Sequence, residues 1–241
     1  MTGTKIVKLK LEGVGSGEKL PTIKEDPLLE YHMLFEKAPY DGNTEIFYAD
    51  MLRELDRNGL SQKEIQAIVD KIPDTRETDS TLRRQYYEKV GLFMSALVEG
   101  SKDHEVKVKI RRPFNYVGFR MGENKKLTVE GNLGDHTAFG LDGGDLTIVG
   151  NTEDNTAIYM RCGSLNIKGN TGKNIGCSMV TGAINVSGNA GDNVGDRIHG
   201  GLIDVGGSIG KIGTPVDGSV EGYVGPDRYG EIRHKGVRVA P

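Results

Sequence analysis

Tryptophan is absent from the 241 residues, aromatic side chains make up 6% of them, and only two cysteines, Cys162 and Cys177, are present. Two cysteines without a partner spacing exclude a disulfide framework and a metal finger, so both read as reduced thiols that act as small apolar residues. No apolar run approaches the roughly 18 residues of a membrane-spanning helix. The N-terminus lacks the succession of basic, apolar and small residues that marks a secretory signal, and a cytoplasmic protein is expected. Charge of one sign is not in excess either. The 31 basic and 34 acidic residues nearly cancel, which predicts neither nucleic acid nor a membrane surface as partner. The densest local bias, Lys102 to Lys126 with Lys107, Lys109, Arg111, Arg112, Arg120 and Lys125, reads first as strand-edge protection and second as a site for an anionic ligand or partner.

Glycine is what the chain has in quantity, 35 residues of it. Between Leu127 and Gly213 it recurs at every nineteenth position, as Gly131, Gly150, Gly169, Gly188 and Gly207, followed by Asn132, Asn151, Asn170 and Asn189 and then by Ser208. A second row, Gly144, Gly163, Gly182 and Gly201, leads into Leu146, Leu165, Ile184 and Ile203 and then Ile148, Ile167, Val186 and Val205. An apolar-x-apolar pair between fixed glycines is a short strand with one inward face, and a period near 20 points to a solenoid. Such strands are too short to stand alone. Stacked at about 4.8 Å they become hydrogen-bonded neighbours, with Leu141, Met160, Met179 and Ile198 as a third inward row. The glycines then mark corners, and the asparagines, which tolerate the left-handed region, form a ladder of stacked amides. The expected fold is mainly β: a right-handed parallel β-helix of 19-residue coils over residues 105–213, preceded by a small α-helical region.

That helical region spans residues 19–104. Lys5 to Leu11 reads as a strand closed by the turn Gly13 to Gly17, which together make a separate N-terminal piece, residues 1–18. Pro27 follows Asp26 in a first turn, with Leu28, Leu29, Tyr31, His32, Leu34 and Phe35 at helical spacing. Asn43 to Leu55 is a second helix, ending near Asn58-Gly59. Ser61 and Glu64 form a capping box ahead of Ile65, Ile68, Val69 and Ile72, and Pro73 stops that helix. Thr78 to Val98 is the longest, with the stripe Leu82, Tyr86, Val90, Phe93, Met94 and Leu97. Such stripes pack helices on one another or cover an open end of the solenoid, since terminal repeats need a cap. Val106 to Ile110 is a strand leading into an imperfect first coil, where Val117, Gly118 and Met121 echo later positions until Lys125 and Lys126 disturb the register. Residues 214–241 form a tail in which Ile232 to Val239 supplies one last strand.

The units Gly169 to Gly188 and Gly188 to Gly207, with glycines at Gly169, Gly172, Gly176 and at Gly188, Gly191, Gly195, resemble the GXGXG repeat of the C-terminal domain of glutamate synthase large subunits. They are similar also to the third subunit of formylmethanofuran dehydrogenases. The resemblance covers roughly Val117 to Gly213. Glu153, Ala157 and Ala138 stand where it expects glycines. It implies a right-handed β-helix without catalytic residues that holds amidotransferase and flavin or iron-sulfur domains in position.

Motifs of chemistry fit the repeat poorly. Gly206 to Gly210 satisfies G-x-S-x-G around Ser208, but an esterase elbow needs a strand-to-helix turn and an acid and a histidine after it. Only His234 follows. No Lys-Ser or Lys-Thr pair and no helix follows a glycine run, so neither a P-loop nor a dinucleotide fingerprint is present. His136 and His199 fall at different repeat positions, without metal-ligand spacing. Asp142, Arg161 and His199 share one repeat position, a polar outer row that suits either a partner or solvent. A polysaccharide-active β-helix would show aromatic platforms, whereas the coils hold only Phe139 and Tyr159. The resulting expectation is a non-catalytic scaffold subunit of a glutamate synthase-like oxidoreductase complex, with no cofactor of its own, docked to amidotransferase and FMN or Fe-S subunits. A formylmethanofuran dehydrogenase-like scaffold is the alternative, a stand-alone esterase ranks below both, and a homo-oligomer is a further assembly the sequence admits. The residues singled out, Gly131, Asn132, Gly150, Asn151, Gly169, Asn170, Gly188, Asn189 and Gly207, are structural rather than catalytic.

Overall fold

The structure, a computed structural model, describes residues 40, 42–54, 59–72, 78–214 and 230–240. The expected strand at Lys5 to Leu11, the helix after Asp26 and most of the tail lie outside the described residues. Three helices, α1 (Thr44–Glu54), α2 (Gln62–Lys71) and α3 (Ser80–Glu99), precede a parallel β-solenoid of the right-handed type with about five turns of 19-residue coils. One sheet runs the length of the rod: β1 (Glu105–Lys109), β2 (Lys126–Glu130), β3 (Asp142–Val149), β4 (Cys162–Ile167), β5 (Ala183–Val186), β6 (Leu202–Val205), β7 (Glu231–His234) and β8 (Val237–Ala240), paired in chain order.

Leu127, Leu146, Leu165, Ile184, Ile203 and Ile232 stack directly on one another. All are at most 1% exposed, as are Leu141, Met160 and Met179 beside them. Burying a column of such side chains, worth about 1.5–3 kcal/mol each, is what lets strands of four to eight residues persist. Among the described residues the other sides of the coils contain no strand. They are held by single bridges such as Leu133 to Thr152, Thr171 to Ala190 and Val194 to Ile212. The first coil is longer than the rest. The step from Val106 to its partner Leu127 exceeds the step from Leu127 to Leu146 by two positions. Two single-residue insertions, one between Val106 and Tyr116 and one around Asn124, account for the disturbed register. At the far end Ile232 pairs with Ile203, 29 positions before it in the sequence. The last strand of the expectation is in fact a hairpin: β7 extends the parallel stack and β8 folds back antiparallel through Lys235 and Gly236.

The helices do both things their stripes allowed. Asn43 Oδ1 caps α1 by accepting from Ile46 N, and Ser61 with Glu64 completes the capping box of α2. Phe47, Tyr48 and Met51 of α1 and Ile65, Ile68 and Val69 of α2 are buried, as is the whole C-terminal half of α3 from Val90 to Val98. That half is apolar on almost all sides because it lies between the other helices and the first coil. Leu82, expected on the inward stripe, is instead 51% exposed. Gly91 allows α3 to approach the coil, since a Cβ there would overlap the Asn115 carbonyl. Polar side chains of the cap take up the backbone groups that the first coil presents. Ser95 Oγ accepts from Gly118 N (2.9 Å) and Phe119 N (3.2 Å), and Glu99 Oε2 accepts from Gly122 N. Gln66 acts as one more rung beside β1, accepting from Lys109 N and donating to Lys109 O.

Candidate functional site

The glycines and asparagines of the repeat occupy the corners, and the two glycine rows do different work. At Gly188 φ is ordinary, but a Cβ would come within 2.7 Å of the Gly169 carbonyl oxygen, so coil-to-coil approach excludes a side chain there. At Gly182 φ is +102°, where a side chain is strained in addition. The asparagine row differs from the expectation. None of Asn132, Asn151, Asn170 and Asn189 has a positive φ. Each uses its side-chain oxygen to accept from the backbone N–H of the next coil: Asn132 from Asn151 (2.9 Å), Asn151 from Asn170 (2.8 Å), Asn170 from Asn189 (2.7 Å) and Asn189 from Ser208 (2.8 Å). Amide-to-amide bonding occurs in this row from Asn151 Nδ2 to Asn132 Oδ1 (3.3 Å), and in a second row from Asn174 and Asn193 Nδ2 to the preceding Asn155 and Asn174 Oδ1.

Those latter asparagines belong to a corner that the glycine spacing does not announce. In every coil three alternate residues turn through the left-handed region: Tyr116, Gly118, Arg120; His136, Ala138, Gly140; Asn155, Ala157, Tyr159; Asn174, Gly176, Ser178; and Asn193, Gly195, Arg197. Only four of these fifteen are glycine, and each of the others costs about 1–2 kcal/mol of backbone strain. The signal available in the sequence is Asn155, Asn174 and Asn193, the residue type that enters this region most readily. The middle residue points inward, where Ala138 and Ala157 are fully buried. The third lies along one edge of the rod, where Arg120, Tyr159 and Arg197 are exposed and Gly140 and Ser178 are covered.

A cleft of about 180 Å³ opens on this edge, lined by Arg120, Phe139, Gly140, Asp142, Tyr159 and Arg161. Tyr159 is 52% exposed and meets Phe139 edge-on at 5.5 Å, and Phe139 stacks on Phe119 at 5.7 Å. Arg120 is fixed by Glu45 of α1 at 3.0 Å, while Arg161 and Asp142 are only loosely paired at 3.5 Å. Cys162 lies alongside, with its thiol 3.8 Å from Asp142 Oδ1; burial, and then that carboxylate, push the thiol above its ordinary value. Of the row Asp142, Arg161 and His199, the first two line the cleft and His199 does not.

A second cluster joins cap and coil. Glu88, 7% exposed, accepts from Tyr40 Oη at 3.0 Å and from Arg84 Nε at 2.8 Å. Burial and then Glu88 hold the Tyr40 phenol well above its usual range. Nearby, His136 stacks on Tyr116 at 4.8 Å, and its Nδ1 is the one buried side-chain polar atom without a partner among the described residues. Burial holds its imidazole below the ordinary value. Glu153, in a glycine position of the motif, lies at the surface, where partial desolvation and then Asp135 and Asp154 beside it raise its carboxyl.

The basic stretch is already engaged at several points: Lys107 pairs with Glu130 at 2.6 Å, Lys126 with Glu105 at 3.3 Å, Arg120 with Glu45, and Lys125 donates to the Ser101 carbonyl at 2.6 Å. Its β1 edge is covered by α2 through Gln66 rather than left in solvent. A larger depression, about 470 Å³, lies on the outward sheet face over Lys107, Lys126, Thr128, Asp145 and Asn166 and has no aromatic wall. Ser208 lies on a solenoid corner, where its N–H bonds Asn189 and its carbonyl accepts from Ala190 N, not on a strand-to-helix turn. Cys177 is buried, with Arg197 Nη2 3.7 Å from its sulfur. No helix of the described residues is long and apolar enough to cross a membrane. Comparison of the chain with protein-family models, curated proteins and solved structures returns no match.

Proposed function

We propose that the chain is a scaffold subunit, a rigid rod with a helical cap that docks the catalytic subunits of a larger complex and contributes no catalytic residue to it. What supports this reading most is the use made of polar side chains. The asparagine rows connect coil to coil, Ser95, Glu99 and Gln66 connect coil to cap, and one outer edge is left to Arg120, Tyr159, Arg161 and Arg197, residue types that dominate protein interfaces. A rod whose rungs are fixed by side chains suits the positioning of partners better than a substrate-induced closure.

By resemblance of its repeat the partners are an amidotransferase with FMN or Fe-S subunits of a glutamate synthase-like oxidoreductase, with a formylmethanofuran dehydrogenase-like assembly as the second reading. Purification of the protein from its native cells tests both. Co-migration with flavin or iron-sulfur subunits at constant stoichiometry is the expected result, and the pterin or amidotransferase content of the complex separates the two. A chain that elutes alone through every step overturns the reading.

A further inference from the structure

Along the strained outer edge, Gly140 is the one position in the first five coils that carries no side chain, and it lies between Arg120 and Tyr159. Their backbones are two coils apart, about 9.6 Å at about 4.8 Å per coil. Planar groups in contact sit about 3.5 Å apart, so one flat layer between two side chains needs about 7 Å of that spacing. The Arg120 stem leans over Gly140, where a Cβ would be 3.4 Å from its Cγ, and Glu45 holds its guanidinium in place. Tyr159, half in solvent, supplies the opposite wall, braced edge-on by Phe139.

The mouth of the slot presents a donor fork and an acceptor side by side. Arg161 Nη1 is 3.5 Å from Asp142 Oδ2, and Asp142 Oδ1 is 3.8 Å from the Cys162 thiol. Neither contact is a short hydrogen bond, so both groups keep capacity for a ligand. A simple carboxylate or phosphate would meet Asp142 as a like charge. A flat heterocycle with a carbonyl next to N–H groups matches both.

The geometry points to a binding site for a single purine base, held between Tyr159 and Arg120 with its edge read by Arg161 and Asp142. Guanine fits this edge in one orientation: its ring carbonyl accepts from Arg161, and its N1–H and exocyclic amine donate to Asp142. Stacking between an aromatic ring and a guanidinium is the common way proteins hold an unpaired base. The volume of about 180 Å³ holds one fused two-ring system and is below the roughly 300 Å³ at which drug-sized pockets begin. Arg120 is neutralised by Glu45, and Asp142 stands beside Arg161, so the slot lacks the positive track that a nucleic-acid strand requires. The ligand is therefore a free nucleoside or its monophosphate. This inference stands apart from the scaffold reading and does not depend on it.

Titration of the full chain with guanosine monophosphate, followed by ligand-observed NMR, tests it. Saturable binding is expected, weakened about tenfold by Tyr159→Ala, since removing one stacking ring has effects of that order, and retained by Tyr159→Phe. Gly140→Asn places in the slot a residue type that tolerates the left-handed region, at a corner position where Ser178 and Arg197 already hold φ 54° and 52°, and is expected to abolish binding with an unchanged circular dichroism spectrum. Asp142→Asn is expected to remove the preference for guanosine over inosine, which lacks the exocyclic amine. The inference is overturned by absence of saturable binding at millimolar nucleotide, by Gly140→Asn binding like the wild type, or by a short single-stranded oligonucleotide binding more tightly than the mononucleotide. Should Gly140→Asn fail to fold, the Tyr159→Ala and Tyr159→Phe pair decides alone, because that ring is half in solvent.

Discussion

Ser95 joins the helical cap to the solenoid through one hydroxyl, and its removal gives a number that can be worked out in advance. The side chain is 3% exposed. Its oxygen accepts from Gly118 N at 2.9 Å and from Phe119 N at 3.2 Å, and its proton goes to Gly91 O at 2.8 Å or Tyr116 O at 3.0 Å. In Ser95→Ala the two donors fare differently. Phe119 N keeps the Tyr116 carbonyl at 3.1 Å, whereas Gly118 N has no backbone acceptor among the described residues. One buried N–H without a partner costs about 1–3 kcal/mol, and the weakened second one brings the sum to about 1.5–4 kcal/mol. The space vacated by an oxygen atom is too small to admit a water that would replace it.

Urea unfolding of the wild type and Ser95→Ala, followed by far-ultraviolet circular dichroism, measures this. A lower midpoint with an unchanged slope means that cap and rod unfold as one unit. Ser164→Ala is the control. That hydroxyl bonds Asp145 Oδ1 at an exposed site, so its loss is expected to cost under about 1 kcal/mol. A Ser95→Ala loss below about 0.5 kcal/mol would refute the account of the junction, because it would mean that Gly118 N finds another acceptor at no cost.

Three further outcomes follow from the same geometry. Burial depresses the imidazole of His136 in the folded chain below the ordinary 6.5, so the unfolded chain binds the proton more readily; stability is full above pH 6.5 and falls as the pH drops below it. His136→Asn, matching the asparagines that follow it in the row, removes that part of the slope in urea midpoints measured across the range. Gly236→Ala is expected to cost about 1 kcal/mol from backbone strain alone, since φ is +77° and a Cβ there meets nothing within 4 Å; exchange of the β7 and β8 amides reads it locally. Tyr159→Asn exchanges about 1–2 kcal/mol of left-handed strain for the loss of one ring contact of about 0.5–1.5 kcal/mol, so its melting temperature should stay near that of the wild type; a drop of many degrees would show that the ring is part of the core.

The solenoid was legible because its rule is local and repeated. Leu146, Leu165, Ile184 and Ile203 announce a stacked column by spacing alone, and the structure stacks them. The cap was legible in outline: Ser61 with Glu64 starts its helix as expected, but which side of α3 faces the rod depends on neighbours far away in sequence. That is why Leu82 reads as core and lies in solvent. Gly91 was invisible for the same reason, since what it avoids is the Asn115 carbonyl. The candidate site was not legible. Gly140 and Tyr159 acquire their relation to Arg120 only when coils of unequal length are laid on one another, and the extra residue of the first coil shifts Arg120 out of the arithmetic register.

The left-handed corner itself separates what the fold requires from what it merely tolerates. At the middle position the choice is made by space. A Cβ at Gly118 would lie 2.8 Å from Leu146 Cδ2, and one at Gly195 would lie 2.8 Å from Ile232 Cδ1, so only glycine or alanine enters and the inward column sets the limit. At the outer position nothing of the kind applies. Gly140 has room for a Cβ, yet it is glycine, while Arg120, Tyr159 and Arg197 are among the largest side chains and are held at φ 48°, 55° and 52° where asparagine or glycine would cost less. Strain that packing imposes should diminish when the inward column is made smaller. Strain that packing does not impose should be removable at a single residue with the rod intact, and on this edge it coincides with the one row of exposed aromatic and guanidinium groups that no ladder uses.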